Sequence, residues 1–356
     1  MNIQSRIPVA VLGATGMVGQ RFIELLQGHP WFELVALAAS EQHGGRSYAE
    51  VTRWRLPGSE MPASVARLPV LACRPEALAG VKIVFSALPG EVAGEIEAKC
   101  ARAGMAVFSN AKNYRMAADV PLLVPEVNAD HVGAIVQQRK QRNWPGCIVT
   151  NANCSATPLV MALKPLQEAF GVRKVMVTTL QAISGAGYPG LPSYDILDNA
   201  IPYIGGEEEK VESETLKMLG RWEEGVGFSN APMVVSAQCN RVATREGHLE
   251  CASVELERDT SPEEIVAAWQ SYTPESRRLR LPSAPEEALV YRSEPDRPQT
   301  LRDRDAGHGM TVTVGRLRRC PILSYKFVLL GHNTIRGAAG GSILNAELCV
   351  SKGLIE

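Results

Sequence analysis

The sequence predicts an α/β fold in two parts: a doubly wound parallel sheet, then an α+β domain whose sheet is mostly antiparallel. Three observations carry that prediction. The chain has 356 residues, more than one hydrophobic core usually organises. Its first third alternates short apolar runs with stretches of helical spacing, the rhythm of parallel strands joined by crossover helices. The remainder carries longer strand-like stretches with few helices between them, which favours antiparallel pairing.

In chain order, Ile7 to Leu12 is a short β-rich run, Met17 to Gln27 has helical spacing, and Phe32 to Ala39 is apolar again. Val81 to Leu88 reads as a buried strand, Glu91 to Ala103 as a helix, and Ala106 to Ser109 as the next strand. Thr157 to Phe170 is helical, with Pro158 at a tolerated first-turn position. Strands follow at Lys174 to Ile183, Met233 to Val242, Leu249 to Leu256, Met310 to Leu317 and Leu323 to Leu330, and a helical pattern covers Val211 to Leu219. Ala338 to Val350 is helical and expected to pack back on the first domain. The expected division is therefore 1–153 with 338–356 as the nucleotide-binding part, and 154–337 as the catalytic and oligomerisation part. Ser293 to Arg304, rich in arginine and proline, reads as a solvated loop.

Composition removes several function classes. A formal net charge of -1 gives no electrostatic reason to expect nucleic acid or an acidic membrane as partner. No run of about 18 apolar residues is present, and the N-terminus lacks the pattern of a signal peptide, so a cytoplasmic protein acting on a small molecule is expected. The eight cysteines show no CxxC spacing, which argues against a zinc site, and no metal is expected. Scattered thiols suit a reducing compartment.

Gly13-Ala14-Thr15-Gly16-Met17-Val18-Gly19 lies between a predicted strand and a predicted helix. Glycines there let the backbone approach a pyrophosphate, and the helix start offers unpaired N–H groups to it. The GxxGxxG spacing is a looser variant of the dinucleotide fingerprint, so a Rossmann-type sheet with a bound dinucleotide is expected rather than a plain glycine-rich turn. After the second strand, Ser40 and Arg46 suit a 2′-phosphate and hence NADP, whereas Glu41 suits the ribose hydroxyls of NAD.

The stretch TNANCSATPL places Cys154 among small polar residues just before a helix. A helix start stabilises a thiolate, the nucleophilic form, although most cysteines are small buried hydrophobes. His248 lies between two strand-like stretches, seven residues after Arg241. It suits a proton shuttle or an exposed turn, and Arg241 suits a carboxylate clamp. Glu207 and Lys210 are three apart at a helix start and either face one site or form a solvated first turn. Arg115 is a surface arginine or an anion clamp; spacing does not decide.

Taken together, GATGMVG, SNAKNYRMAADVPLLVPEVN, NANCSATPL, QAISGAGYPG, EEEKVESETLKML, CNRVATREGH and HNTIRGAAGGSILNAE, in this order, resemble the aspartate-semialdehyde dehydrogenases of the archaeal and fungal branch. The resemblance covers nearly the whole chain. It implies NADPH-dependent reductive dephosphorylation of β-aspartyl phosphate through a cysteine thioester, on the way to lysine, methionine and threonine, by a homodimer or homotetramer. It implies Cys154 as nucleophile, His248 as acid/base and Gln181 as a substrate-positioning residue. Arg241 would bind the substrate carboxylate and Glu207 its amino group, with Arg115, Lys210 and Asn153 as the phosphate site. The cofactor cradle would comprise Gly13, Thr15, Gly16, Met17, Val18 and Gly19, the turn Ser86, Ala87, Leu88 and Pro89, and Asn333. Two positions depart from the family pattern: Ala152 stands where a proline is usual, and Arg46 where a lysine is usual. Two other readings compete: a CoA-dependent acyl reductase of the malonyl-CoA reductase kind, in which Glu207 would have no amino group to bind, and a non-catalytic nucleotide-binding redox sensor using Cys154 as an oxidisable thiol.

Overall fold

The computed structural model describes residues 5–355, the side chain of Glu41 excepted. The first sheet is built from β1 (Ile7–Leu12), β2 (Phe32–Ala39), β3 (Val70–Ala72), β4 (Ile83–Ser86), β5 (Ala106–Ser109), β6 (Leu122–Leu123) and β7 (Cys147–Asn151), in the order β3-β2-β1-β4-β5-β7-β6 and parallel throughout. Its central strands β4, β5 and β7 are buried at every position, as suits a parallel sheet covered on both faces. The helix Met17–Leu25 is seated by Phe22, which stacks on Phe85 of β4 with ring centroids 5.1 Å apart.

The second sheet contains β8 (Val172–Gln181), β9 (Ala200–Ile201), β12 (Val234–Val242), β13 (His248–Leu256), β14 (Leu289–Arg292), β15 (Val312–Arg319) and β16 (Tyr325–Gly331), while β10 (Arg221–Glu223) and β11 (Gly227–Ser229) form a separate hairpin. The order is β14-β15-β16-β13-β8-β12-β9. Four neighbouring pairs are antiparallel, as expected, but β8 with β12 and β14 with β15 are parallel. The β8–β12 pair is the consequential exception. It is joined through the helix Glu207–Met218, which makes a strand–helix–strand unit inside an otherwise antiparallel sheet. β8, β12 and β13 alternate buried and exposed positions, so one face packs on the helix Ala156–Phe170 and the other lies open.

After β16 the chain makes a π-helical turn, Ile335–Ala339, and then the helix Gly340–Ser351, whose apolar side chains join the core of the first sheet. Arg336 pins that turn: Nη1 and Nη2 donate to Glu126 Oε1 and Oε2 at 2.8 and 2.9 Å, both residues being buried. Removing one partner of such a pair costs about 3–5 kcal/mol. Among the described residues no helix is long and apolar enough to cross a membrane.

Two sequence expectations need correction. The helix expected from Val211 begins at Glu207, which brings the acidic first turn into the helix itself. Residues 293–304 are only partly a solvated loop. Thr300–Asp303 is helical, and Asp303 is buried, its Oδ2 accepting from Arg297 Nε at 2.7 Å and from the Gln299 amide at 2.7 Å. An internal ion pair closes the segment, and charge density alone could not distinguish that from solvation.

Candidate active site

The glycine run opens the cofactor helix as its spacing suggests. Gly13 has φ +72°, and a Cβ there would lie 2.6 Å from the Ala87 carbonyl oxygen; a Cβ on Gly19 would lie 2.2 Å from the Gly13 oxygen. Only glycine allows β1, the Ser86–Pro89 turn and the helix to approach this closely. Gly16 at the helix start has no side-chain cap, and no acidic residue occupies the first turn, so the positive helix end is left for an anion. These features fit a dinucleotide pyrophosphate.

Gly16, Met17 and Val18 line a cleft of about 730 Å³ together with Ala87, Leu88, Pro89, Arg115, Asn153, Cys154, Glu207, Lys210, Arg241 and Asn333. Residues expected from distant parts of the chain thus meet around one space. Ser184 to Tyr188, Asn110 and Lys112 also line it and were not singled out in the sequence. Gly13 and Gly19 shape the cradle from beneath. Ser86 is buried at the end of β4, and Gln181 is buried with its amide on Thr179 Oγ1 at 3.2 Å; neither lines the cleft. Ser40 and Arg46 are exposed and line neither this cleft nor the neighbouring cavity of about 500 Å³ that holds Thr15, His43, Arg53 and Arg55.

Cys154 follows the end of β7 and enters the helix Ala156–Phe170. Asn153 shapes that entry: its Oδ1 accepts from the amides of Ser155 and Ala156 at 2.9 and 3.0 Å, the work of a helix cap. A Cβ on Gly337 would lie 2.7 Å from Cys154 Cβ, so the turn after β16 presses directly on Cys154. Cys154 Sγ is 3.2 Å from His248 Nε2. Burial pushes the thiol up to about 12 and the Glu207 carboxylate adds to the rise, while Arg115 and Arg241 oppose it.

His248 is the first residue of β13 and fully buried. Its Nδ1 accepts the Ala182 backbone N–H at 3.1 Å. A backbone amide can only donate, so Nδ1 carries a lone pair and the neutral ring holds its proton on Nε2, facing the sulfur. Protonating Nδ1 would set two donors against each other. Burial, and then the Arg241 guanidinium, lower the pKa of His248 to about 3.

The parallel pairing of β8 with β12 sets Gln181 opposite Arg241 at the carboxyl ends of both strands, where open α/β units place ligands. Arg241 Nη1 donates to the Ala182 carbonyl at 2.7 Å, fixing the guanidinium at the cleft wall. A Cβ on Gly185 would come within 2.7 Å of that nitrogen and 3.3 Å of the His248 ring, so this loop position excludes any side chain. Glu207 Oε1 accepts from Asn153 Nδ2 at 2.8 Å and Oε2 from Lys210 Nζ at 2.7 Å. Burial alone would raise its pKa; the bonds from Asn153 and Lys210 outweigh that and hold it below the ordinary carboxylate value. Asn333 Oδ1 accepts from the Gly247 amide and its Nδ2 donates to Ser184 Oγ, each at 2.8 Å, which ties the approach to His248 to the loop after β8.

A nucleotide cradle opening onto a cysteine–histidine pair and a fixed guanidinium has the architecture of a dinucleotide-dependent oxidoreductase that works through a thiol. Comparison with known proteins narrows the class. The model of the semialdehyde dehydrogenase NAD binding domain matches residues 8–135, and that of the semialdehyde dehydrogenase dimerisation domain matches residues 163–336. An aspartate-semialdehyde dehydrogenase of Archaeoglobus fulgidus is 51% identical over 98% of this chain and 100% of its own, and one of Cryptococcus neoformans is 49% identical over 100% of both. The crystal structure of aspartate semialdehyde dehydrogenase with NADP from Candida albicans superposes with a TM-score of 0.90 at 44% identity, covering 99% of this chain and 100% of that one. The chain belongs to the aspartate-semialdehyde dehydrogenase family.

Proposed function

We propose that the protein catalyses the NADPH-dependent reductive dephosphorylation of β-aspartyl phosphate to aspartate semialdehyde. The observation that carries this reading is the 3.2 Å contact between Cys154 Sγ, which lines the cleft with Gly16 of the glycine run, and His248 Nε2, which is buried behind it. In this reading 1–153 with 338–356 form the dinucleotide-binding domain and 154–337 the catalytic and oligomerisation domain, with Arg115 and Asn153 of the first reaching into the phosphate site.

Cys154 Sγ attacks the acyl carbon, forming a thioester as the carbon–oxygen bond to phosphate breaks; the thiol proton leaves with the phosphate. Arg115, Lys210 and Asn153 surround the phosphate, Arg241 pairs with the substrate α-carboxylate and Glu207 with its ammonium group. Bound NADPH supplies hydride to the thioester carbon. Negative charge then gathers on the acyl oxygen and passes to Sγ as the carbon–sulfur bond breaks. His248 faces both positions with Nε2–H. The family resemblance implied an acid/base at 248; the Ala182 bond to Nδ1 favours a neutral hydrogen-bond donor, with the final thiolate taking its proton from solvent. Splitting the reaction at a covalent adduct turns one difficult step into two easier ones.

Glu207 disfavours the CoA-dependent alternative, because a malonyl group has no ammonium to pair with it. Supplied with aspartate semialdehyde, phosphate and NADP, the purified protein should form NADPH in a phosphate-dependent way. Reduction supported by CoA in place of phosphate would instead favour the acyl-CoA reading, and NADPH binding without turnover the sensor.

The open face of the second sheet, with Met176 56% and Val234 64% exposed, suits burial against a second copy, and we read the protein as a homodimer through that face. Met176→Glu should shift sedimentation from dimer to monomer; an unaltered profile would reject this face as the contact.

A further inference from the structure

Of the charged residues on the helix Glu207–Met218, Glu207, Lys210, Glu214 and Lys217 are spaced three, four and three apart and so lie along one face. The first two line the cleft. Glu214 and Lys217 do not: they are 1% and 3% exposed and lie behind it. Glu214 divides its carboxylate between two elements that are far apart in sequence. Oε1 accepts from Arg115 Nη1 at 2.9 Å, and Oε2 accepts from the Asn153 backbone amide at 2.6 Å. Lys217 steadies the same region from below, donating to the carbonyl oxygens of Arg115, Ala117 and Val120 at 2.8, 2.8 and 2.9 Å.

Arg115 is 8% exposed. Its Nη2 is engaged by the Asn110 carbonyl at 2.8 Å, while Nε is buried without a partner. Arg115 nevertheless lines the cleft, and Nη1 and Nη2 each carry a second N–H that an acceptor supplied by a ligand can take. The direction in which Arg115 presents itself depends on where Nη1 is held, and that is the task of Glu214. The same carboxylate holds the amide immediately before Cys154, so one side chain sets both the anion clamp and the residue bearing the nucleophile.

We propose that Glu214 is a positioning residue that couples the phosphate-binding guanidinium of Arg115 to the Cys154 segment, and so sets the enzyme's affinity for inorganic phosphate without touching it. The proposal rests on the reading of Arg115 as part of the phosphate site. Glu214 keeps its role only if both bonds are made together: glutamine can accept from one side but turns an N–H₂ toward the other, and aspartate is one methylene too short to span both.

The test uses the full-length enzyme turning over aspartate semialdehyde, inorganic phosphate and NADP. Glu214→Gln should raise KM for phosphate about tenfold, the scale of one lost charged hydrogen bond, with kcat reduced. KM for aspartate semialdehyde and the Kd for NADPH, read by fluorescence, should stay within about twofold, which a general loss of structure would not allow. In an Arg115→Ala background the same substitution should add less than about twofold to the phosphate KM, because its effect passes through the arginine. Glu214→Asp should give the same split and serves if the glutamine variant does not fold. An unchanged phosphate KM, or all three constants moving together in both variants, overturns the proposal. Failure of the underlying functional reading would appear separately, as wild-type enzyme lacking phosphate-dependent turnover.

Discussion

Cys154→Ala is expected to lower turnover by at least about 10⁴-fold, the scale seen when a covalent nucleophile is removed from a site that otherwise stays intact. NADPH binding should survive, since the proposed cradle, Gly13 to Gly19 with the Ala87–Pro89 turn, does not depend on the sulfur. Folding should survive as well. The contact that Gly337 makes with this residue is to the Cβ, which alanine keeps, and the Asn153 cap is made by Oδ1 to the amides of Ser155 and Ala156. Mass spectrometry of wild-type enzyme quenched with β-aspartyl phosphate should reveal an acyl adduct on the peptide containing Cys154, and none on the variant. Turnover in the variant with an adduct at another cysteine would remove Cys154 from the mechanism.

Part of the first sheet was legible because its signals are local, while β3, β6 and β7 were not read. Ile7–Leu12, Phe32–Ala39 and Ala106–Ser109 fall where the apolar runs put them, and the strand–glycine–helix order needs no long-range information. The position of Cys154 was legible for a related reason: small polar residues at the junction of a strand and a helix are what a capped helix start requires, although here that start is buried. Glu214 and Lys217 were not. In the sequence they continue a run of charge that a solvated helix would carry equally well, and only the packing of the 110–120 segment over that face buries them. The Arg115–Glu214 pair spans 99 residues, beyond any periodicity. Gln181 and Arg241 likewise become neighbours only through the parallel pairing of β8 and β12, in a sheet whose strand lengths suggested antiparallel order. Ser40 and Arg46 lie past the end of β2 at Ala39, on either side of the 3-10 turn Glu41–His43, and both are exposed.

His248→Gln should reduce kcat by roughly 10²–10³-fold, in line with losing one preorganised donor to a developing oxyanion. It should also leave a distinctive mark on stability. In the unfolded chain the imidazole titrates near its ordinary value of about 6.5, whereas in the fold burial and Arg241 hold it at about 3. Between those values this residue binds more protons in the unfolded chain than in the native one, so its contribution to stability is lost as pH falls from about 6.5 toward 3. The contribution of the neutral ring is therefore complete above pH 6.5 and diminishes steadily below it. Glutamine has no such proton to take up. Urea midpoints for wild type and variant, measured from pH 8 to pH 4, should run parallel above about 6.5 and converge or cross below it, with the variant gaining relative to wild type in acid. The other charged groups near the ring, Glu207 and His332, remain in both proteins, so the difference reports the ring together with its coupling to Glu207. A wild-type curve whose relative stability instead rises on acidification would mean that the ring is protonated in the fold. In that case the Ala182 amide would not be what holds Nδ1, and His248 would meet the sulfur as a cation.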